Sequence, residues 1–510
     1  MLQEKNSPIY LSLLLLIAVI FVGGLFGPNL GAKFGLLDDH EIVEYVRQAH
    51  GSFRQFFELV GSSEVGNFGH AVHFRPGYYT IYVTESLVWG ANPFLWYLFR
   101  FLMCVTFVFA CLKIIDRYFG LACALLFVAL MFSYAYWTDV WSRLGPGESY
   151  CAFGWALFSL GFIELIDKNP PKREWPYNLL ILFGVLIGAG GKENFLLLML
   201  PLLALVWIRY RRNTLSVGLA LVSILSAVYM MVIVIELLLA FSKVKVDVHG
   251  EALDMGSRLR LLGRLVRIPA FYNSLAAFII GSIIWLVNRN SSRFGPLRRS
   301  VVVLTIIGLC GMFLSLTQIV FYNGNWPAKI RFDFPGMMIT PLIVVASATL
   351  ATGVIRSFWS KTPTYFIPLL IAIVSGYTII QGFQEVRAGS VRNEQLTTDI
   401  SSKIDLIAKT LKADPNAVLV LENYDAFNYE YLVGIQQFLH FYKVENPIVV
   451  RNHGYNVEDQ TSDLLKTIVR IEFGWEEAGK SQLAAASKCY SVHFSGHQPT
   501  NCQDLADLFR

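Results

Sequence analysis

The chain has 510 residues, 55% of them hydrophobic and 14% aromatic, with only 15% charged and a formal net charge of +5. A soluble domain is typically about 45–50% apolar and about 25% charged, so the composition points to an integral membrane protein. The small positive balance argues against a nucleic-acid binder, because the basic residues fall in short clusters between apolar runs.

The N-terminus carries Lys5 and then an apolar stretch from Tyr10 to Phe26. That run is longer than the h-region of a secretory signal, and no A-x-A cleavage site follows it, so it reads as an uncleaved first transmembrane helix. A bilayer crossing needs about 20 apolar residues. Candidate spans fall at 9–27, 94–115, 119–137, 149–166, 176–190, 194–209, 214–241, 270–288, 300–321, 336–356 and 363–383, about eleven helices on that length criterion. No internal repeat is visible.

Basic residues orient these spans. Lys113 and Arg117, then Lys168, Lys172 and Arg173, then Arg209, Arg211 and Arg212, then Arg289, Arg293, Arg298 and Arg299, then Arg356 and Lys361 occupy alternate short loops. The positive-inside rule places those loops in the cytoplasm, with the N-terminus inside and the C-terminal tail outside. The loop 242–269 is basic yet falls outside, and is the exception.

The first outer loop is long, about residues 28–93. Near its start, "LLDDHEIVEY" (36–45) concentrates Asp38, Asp39, His40 and Glu41. Next, Ile42, Tyr45, Val46, Ala49, Phe53, Phe56, Phe57 and Val60 recur at helical spacing, opposite Glu44, Arg47, Gln48 and Arg54. That pattern predicts an amphipathic helix at the interface. The segment 76–90 is apolar but short, and it reads as a second surface helix with Pro76 in its first turn.

From about residue 385 the composition becomes polar. An amphipathic helix is expected over 394–412, a strand at 417–423, a helix at 428–443, a strand at 447–452 and a helix at 459–472. Alternating strand and helix predicts a small α/β domain with parallel pairing. The chain thus divides into a membrane region, 1–385, and an extracytoplasmic α/β domain, 386–510. Cys104, Cys111, Cys123, Cys151 and Cys310 lie in or near apolar runs and read as small hydrophobes. Cys489 and Cys502 lie in the polar tail and can pair if that tail is outside.

This topology puts several charges on one face: Asp38, Asp39, His40 and Glu41; Arg75; Asp139, Arg143 and Glu148; Lys192 and Glu193; Lys329, Arg331 and Asp333. Each alone reads as a solvated loop charge or an interfacial anchor. Their convergence suggests function, because ionisable groups at membrane depth are costly. Carboxylates offer a general base, and fixed Arg and Lys offer a phosphate clamp. Together they suit transfer of a group from a lipid-linked phosphate to a hydroxyl. "SRLRLLGRLVRIP" (257–269) places Arg260, Arg264 and Arg267 on one helical face opposite leucines, a pattern that binds anionic head groups.

An acidic "DDHE" in the first outer loop, two surface helices, a "KE" pair at Lys192–Glu193, an R-F-x-x-P element from Arg331 and a C-terminal extracytoplasmic domain together resemble the GT-C superfamily of membrane glycosyltransferases. That group includes the protein O-mannosyltransferases and the lipid A aminoarabinose transferases. The resemblance covers about residues 1–385. It implies a GT-C-like fold and an inverting transferase that takes its sugar from a polyprenyl-phosphate donor. A first-loop aspartate would be the base, Asp39 by preference and Asp38 otherwise. Arg75, Lys192, Arg331, Arg260 and Arg264 would contact the donor phosphate. Glu41, His40, Glu148 and Glu193 would contact the sugar or acceptor. The acceptor would be a cell-envelope glycan or lipid at the outer face of a bacterial inner membrane, with bound membrane lipids and no nucleic-acid partner.

A catalytic metal is not expected, although Asp38, Asp39, His40, His70 and His73 are possible ligands. Two other readings compete. A polymerase or ligase acting on lipid-diphosphate glycans would use several outer arginines and a large late loop. A lipid-linked sugar transporter would place polar groups near mid-membrane, where Glu236 is the one candidate carboxylate.

Overall fold

The structure is a computed structural model, and it describes residues 7–49, 53–69, 74–167, 170–243, 263–265, 268–288, 295–321, 331–423, 429–452, 488–493 and 502–508. In chain order the helices are α1 (Pro8–Phe26), α2 (His40–Gln48), α3 (Phe53–Ser62), α4 (Pro76–Trp89), α5 (Pro93–Phe119), α6 (Leu121–Phe132), α7 (Trp137–Trp141), α8 (Gly147–Leu165), α9 (Trp175–Ala189), α10 (Met199–Arg211), α11 (Val217–Lys243), α12 (Pro269–Asn288), α13 (Gly295–Phe321), α14 (Ile339–Phe358), α15 (Phe366–Val374) and α16 (Gly376–Ala413). The C-terminal region follows as β1 (Val418–Asn423), α17 (Tyr429–Phe441), β2 (Ile448–Asn452), β3 (Cys489–His493) and β4 (Gln503–Asp507).

Among the described residues, 7 helices are long and apolar enough to cross a membrane, or 8 if the pair α15–α16, bent by 64°, forms one broken span. The expected count of about eleven spans is therefore not confirmed; besides the bent pair at 363–383, three segments account for the difference. The apolar run 119–137 is helical only over 12 residues of α6, about 18 Å at 1.5 Å per residue, against the ~30 Å of a hydrocarbon core. Gly120, at φ +93°, separates it from α5, and it ends at Ser133. Helix α9 has 15 residues, about 22 Å. Helix α8 has the length, but Glu148 and Glu164 make its ends polar. Outward-facing side chains of the longer helices are apolar, as with Ile20 (65% exposed), Leu238 (63%) and Val287 (76%). Such faces suit lipid rather than water.

Small residues let helices α8 and α9 approach closely. A Cβ on Gly154 would lie 2.5 Å from the Gly188 amide nitrogen, and one on Gly184 only 2.4 Å from that of Phe158. Only glycine admits backbones this near, and without a hydrophobic drive between helices such contact is a main source of packing energy in a bilayer.

The charge distribution along the bundle is ordered. At one end Lys113 and Arg117 pair with Glu164 at 3.0 and 3.2 Å, Arg209 pairs with Glu174, and Arg212 donates to the Ile166 carbonyl. These are basic clusters assigned above to one side of the membrane. The other end carries the first loop, the helices α2 to α4 and the C-terminal region.

The amphipathic run 42–60 forms two helices rather than one. It splits after Ala49, where the sequence His50-Gly51-Ser52 offers poor helix formers. The segment expected as a second helix at 76–90 is helical as α4, with Pro76 at its first position, and its 14 residues are too few to span.

The C-terminal region holds a four-stranded, wholly parallel sheet of order β2-β1-β3-β4. Strands β1 and β2 and helix α17 match the expected elements, whereas β3 and β4 were not anticipated. The helix expected at 459–472 lies outside the described residues. Leu419 and Leu421 point into a core with Ile404, Ile407 and Leu411 of α16 and Leu432, Ile435 and Leu439 of α17. Cys489 and Cys502 are joined as a disulfide beside β3 and β4. The expected boundary at 385 falls inside α16, whose 38 residues run unbroken from the bent pair to the sheet.

Candidate active site

The acidic knot opens with a backbone reversal. Asp38 has φ +64°, a left-handed conformation that costs energy for a residue with a Cβ and to which aspartate is better suited than most. Its carbonyl accepts a hydrogen bond from the Tyr82 hydroxyl of α4 at 3.1 Å. The turn leaves no space opposite: a Cβ on Gly145 would lie 1.9 Å from that of Asp38.

Asp39 then occupies the N-cap of α2, but its carboxylate does not cap the helix. It turns back and accepts the Gly35 amide at 2.7 Å. Asp39 is 4% exposed, and burial pushes its carboxyl up to about 7, partly offset by the Gly35 amide. Glu41, in the first turn of α2, is pushed up to about 8 by burial and then by Asp38 and Glu64. Burial lowers the basicity of His40, whose Nδ1–H donates to the Leu36 carbonyl at 3.3 Å. Asp39 and His40 are thus hydrogen-bonded into the loop, and Asp38 forms ion pairs with two arginines.

Those cations come from three later loops. Arg143 Nη2 lies 3.1 Å from Asp38 Oδ2, and Arg331 Nη1 lies 3.9 Å from the same oxygen. Arg331 Nε is also 3.9 Å from Glu148 Oε2. Glu148, in the first turn of α8 and 1% exposed, accepts a hydrogen bond from Lys192 Nζ. Lys192 and Arg331 both lie over the ring of Phe332, at 4.6 and 5.3 Å from its centroid. The result is a chain of alternating charge, Arg143–Asp38–Arg331–Glu148–Lys192. Beside it Arg75 pairs with Glu193 at 3.6 Å. Burial opposes the charge of Arg75, but Glu193 and Glu64 outweigh it and hold the guanidinium above its ordinary range.

Local packing explains why Arg331 arrives there. The turn Arg331–Asp333 is followed by Phe334, fully buried against Phe195, Trp137 and Phe107 at centroid distances of 5.4, 5.7 and 6.0 Å. The Asn194 side chain donates to the Phe334 carbonyl at 3.3 Å. An aromatic anchor and a hydrogen bond next to Lys192 thus hold the Arg331 turn over the Lys192 loop. Among the described residues Arg331 Nη1 is buried and makes no hydrogen bond. An oxyanion could supply that missing acceptor.

Of the residues singled out from sequence, Asp38, Glu148, Lys192 and Arg331 form one network, with Arg75 and Glu193 paired alongside. Asp39, His40 and Glu41 are close in the chain, but the Asp39 and His40 side chains hydrogen-bond within the loop, and Glu41 is half-buried in the first turn of α2. Arg264 is exposed in a short turn, Gly263–Leu265, and no contact ties it to the network among the described residues. Arg260, Arg267, Lys329, His70 and His73 lie outside the described residues. From sequence Arg143 reads only as an outer charge, although its loop holds both Gly145 and Pro146 ahead of a helix that starts with an acid, a signal of close approach. Glu236 is engaged near the site end of α11, where it accepts the Gly69 amide and ties the first loop to the bundle. Among the described residues no group of three His, Cys, Asp or Glu side chains is arranged to hold a metal ion.

Compared with protein families, with curated proteins and with solved structures, the chain matches none.

Proposed function

We propose that the protein is an inverting glycosyltransferase that moves a sugar from a polyprenyl-phosphate donor to a hydroxyl of an envelope glycan or lipid, at the outer face of a membrane. One observation carries the reading: a partly open carboxylate, Asp38, sits 3.1 Å from Arg143 and 3.9 Å from Arg331, at the end of apolar helices where a lipid-linked phosphate would present itself. The disulfide Cys489–Cys502 supports an extracytoplasmic C-terminal region, since such bonds persist in oxidising compartments.

In this reading the acceptor hydroxyl attacks the anomeric carbon as its bond to the phosphate oxygen breaks. Asp38 takes the hydroxyl proton. The leaving polyprenyl monophosphate develops charge, and Arg331, Arg143 and Lys192 stabilise it. Asp38 replaces Asp39 as the preferred base for a geometric reason. A base must reach the proton it removes, and the Asp39 carboxyl is buried and committed to Gly35.

The test uses the full chain in membranes supplied with a polyprenyl-phosphate sugar, with mass spectrometry following release of polyprenyl phosphate. Asp38→Asn should insert normally and lose about 10²–10⁴-fold in turnover, the range for a positioned base. Full turnover in the Asp38→Asn/Asp39→Asn double variant would remove the base assignment. Turnover only with a lipid-diphosphate glycan would favour a polymerase or ligase instead.

A further inference from the structure

One helix face touches every loop that contributes to the charge network except that of Arg331. On α4, Tyr78 and Tyr82 lie one turn apart with their rings stacked, centroids 5.1 Å apart and planes 20° from parallel. The Tyr82 hydroxyl donates to the carbonyl of Asp38 at 3.1 Å. The Tyr78 hydroxyl donates to the carbonyl of Gly145 at 3.0 Å, two residues beyond Arg143. The Tyr78 amide donates to the carbonyl of Gly190 at 3.1 Å, two residues before Lys192. The acid and two of the three cations in its network are therefore pinned through their own backbones to a single template.

The template is rigid. Tyr82 is fully buried and packs edge-on against Trp96 at 5.3 Å and Tyr45 at 6.3 Å. Tyr78 packs on Tyr150 at 5.6 Å. Gly77, just before Tyr78, is pressed on the α9 terminus: a Cβ there would lie 2.3 Å from the Leu186 carbonyl oxygen. Neither ring can swing without unpacking this aromatic cluster. Meanwhile Asp38 holds a left-handed backbone, which persists only where the surroundings over-determine it. The Tyr82 hydrogen bond is one such determinant and the absent side chain at Gly145 is another.

We propose that Tyr78 and Tyr82 are positioning residues: through their hydroxyls they set the separation and aim of the Asp38–Arg143 pair without touching substrate. The inference rests on the reading of Asp38 as base for its catalytic consequence, but the geometry can be measured without any turnover. Losing the Tyr82 hydroxyl leaves the Asp38 carbonyl without that partner, so the backbone at 38 relaxes and the carboxylate swings from between its arginines.

The experiment uses the full-length protein in detergent micelles. Asp38→Cys is placed in a Cys310→Ser background, since Cys310 is the exposed one of the free cysteines among the described residues. The rates at which the introduced thiol reacts with an anionic and a cationic methanethiosulfonate are compared. Flanked by Arg143 and Arg331, the thiol should favour the anionic reagent by ~10-fold, as opposite charges within a few ångströms imply. Adding Tyr82→Phe or Tyr78→Phe, which keep the rings, should cut that preference at least threefold while the melting temperature stays that of a folded protein. Thr84→Val, which removes an exposed hydroxyl on the same helix, should leave it unchanged. A preference unmoved by both phenylalanine variants overturns the proposal, as does no preference in the parent. In the transfer assay Tyr82→Phe should lower kcat with the donor KM held within twofold. If the wild type transfers no sugar, the functional reading fails while the reagent ratio still decides the positioning.

Discussion

Raising the pH from 5.5 to 8 should destabilise this protein through two carboxyls of the first loop, and Asp39→Asn should remove the Asp39 share of that loss. Asp39 moves from an ordinary 3.8 when unfolded to about 7 when folded. Between those values the native state holds a proton that the unfolded chain has released. The unfolded state therefore gains with rising pH, and stability falls by about 1.4 kcal/mol per pH unit across the window. Three units give up to ~4 kcal/mol from pH 4 to 7, of which about 2 kcal/mol falls above pH 5.5. Glu41, moved from 4.5 to about 8, adds a slope of like size and extends the decline by about one unit. Asparagine at this position keeps an oxygen for the Gly35 amide yet cannot ionise, so it isolates the charge from the hydrogen bond. The assay is thermal melting in detergent at half-unit pH steps for wild type, Asp39→Asn and Glu41→Gln. About 2 kcal/mol corresponds to a Tm change on the order of 2–4 °C in a chain this long. The wild-type curve should slope down, and Asp39→Asn should about halve the slope below pH 7, leaving the share of Glu41. Parallel curves across the window would refute the reasoning.

Two further outcomes follow from packing and covalent structure. Gly184→Ile should abolish most folded protein recovered from membranes, because a Cβ already meets the Phe158 amide nitrogen at 2.4 Å and no backbone adjustment absorbs a branched side chain; size-exclusion profiles of the solubilised protein report it. Cys489→Ser should lower the stability of the C-terminal sheet by about 3 kcal/mol, the value for closing a loop of roughly this length, read as faster limited proteolysis than in the wild type, with reductant reproducing the effect.

Much of the helical layout was legible because apolar runs and proline starts are local signals. Helices α1, α5, α11 and α14 follow their runs closely, and β1 and β2 declared themselves as short β-branched stretches between polar turns. What hydropathy could not convey was direction. The run through Ser133 to Trp137 is as apolar as a span, yet the chain bends there, and Phe132 and Trp137 stack face to face at 4.7 Å. Strand β4, "QDLAD", is too polar to announce itself; its pairing with β3 makes it a strand. At the site, the residue types were readable and their pairing was not. Asp38 and Asp39 are chemically identical neighbours, and a backbone dihedral together with a tyrosine 44 positions away separates their roles. Arg143 meets Asp38 across 105 positions, and although Gly145 signals a close approach, no local pattern names Asp38 as what approaches.

Helix α16 carries a mechanical consequence. At 1.5 Å per residue its 38 residues form a rod of about 57 Å. Its lower part is keyed to the bundle, with Gly382 against Ser133, Gly389 against Thr138 and Arg387 donating to the Gly24 carbonyl. Its upper part forms one wall of the sheet's core. Such a rod joins bundle and sheet stiffly: contacts at Gly382, Arg387 and Gly389 hold it beside the bundle, so its far tip carries the sheet as a fixed extension. Helix α17 rides on that tip, and its Gly434 is wedged against the Leu36 carbonyl just ahead of Asp38. Any shift of the sheet is therefore felt at the loop that carries Asp38.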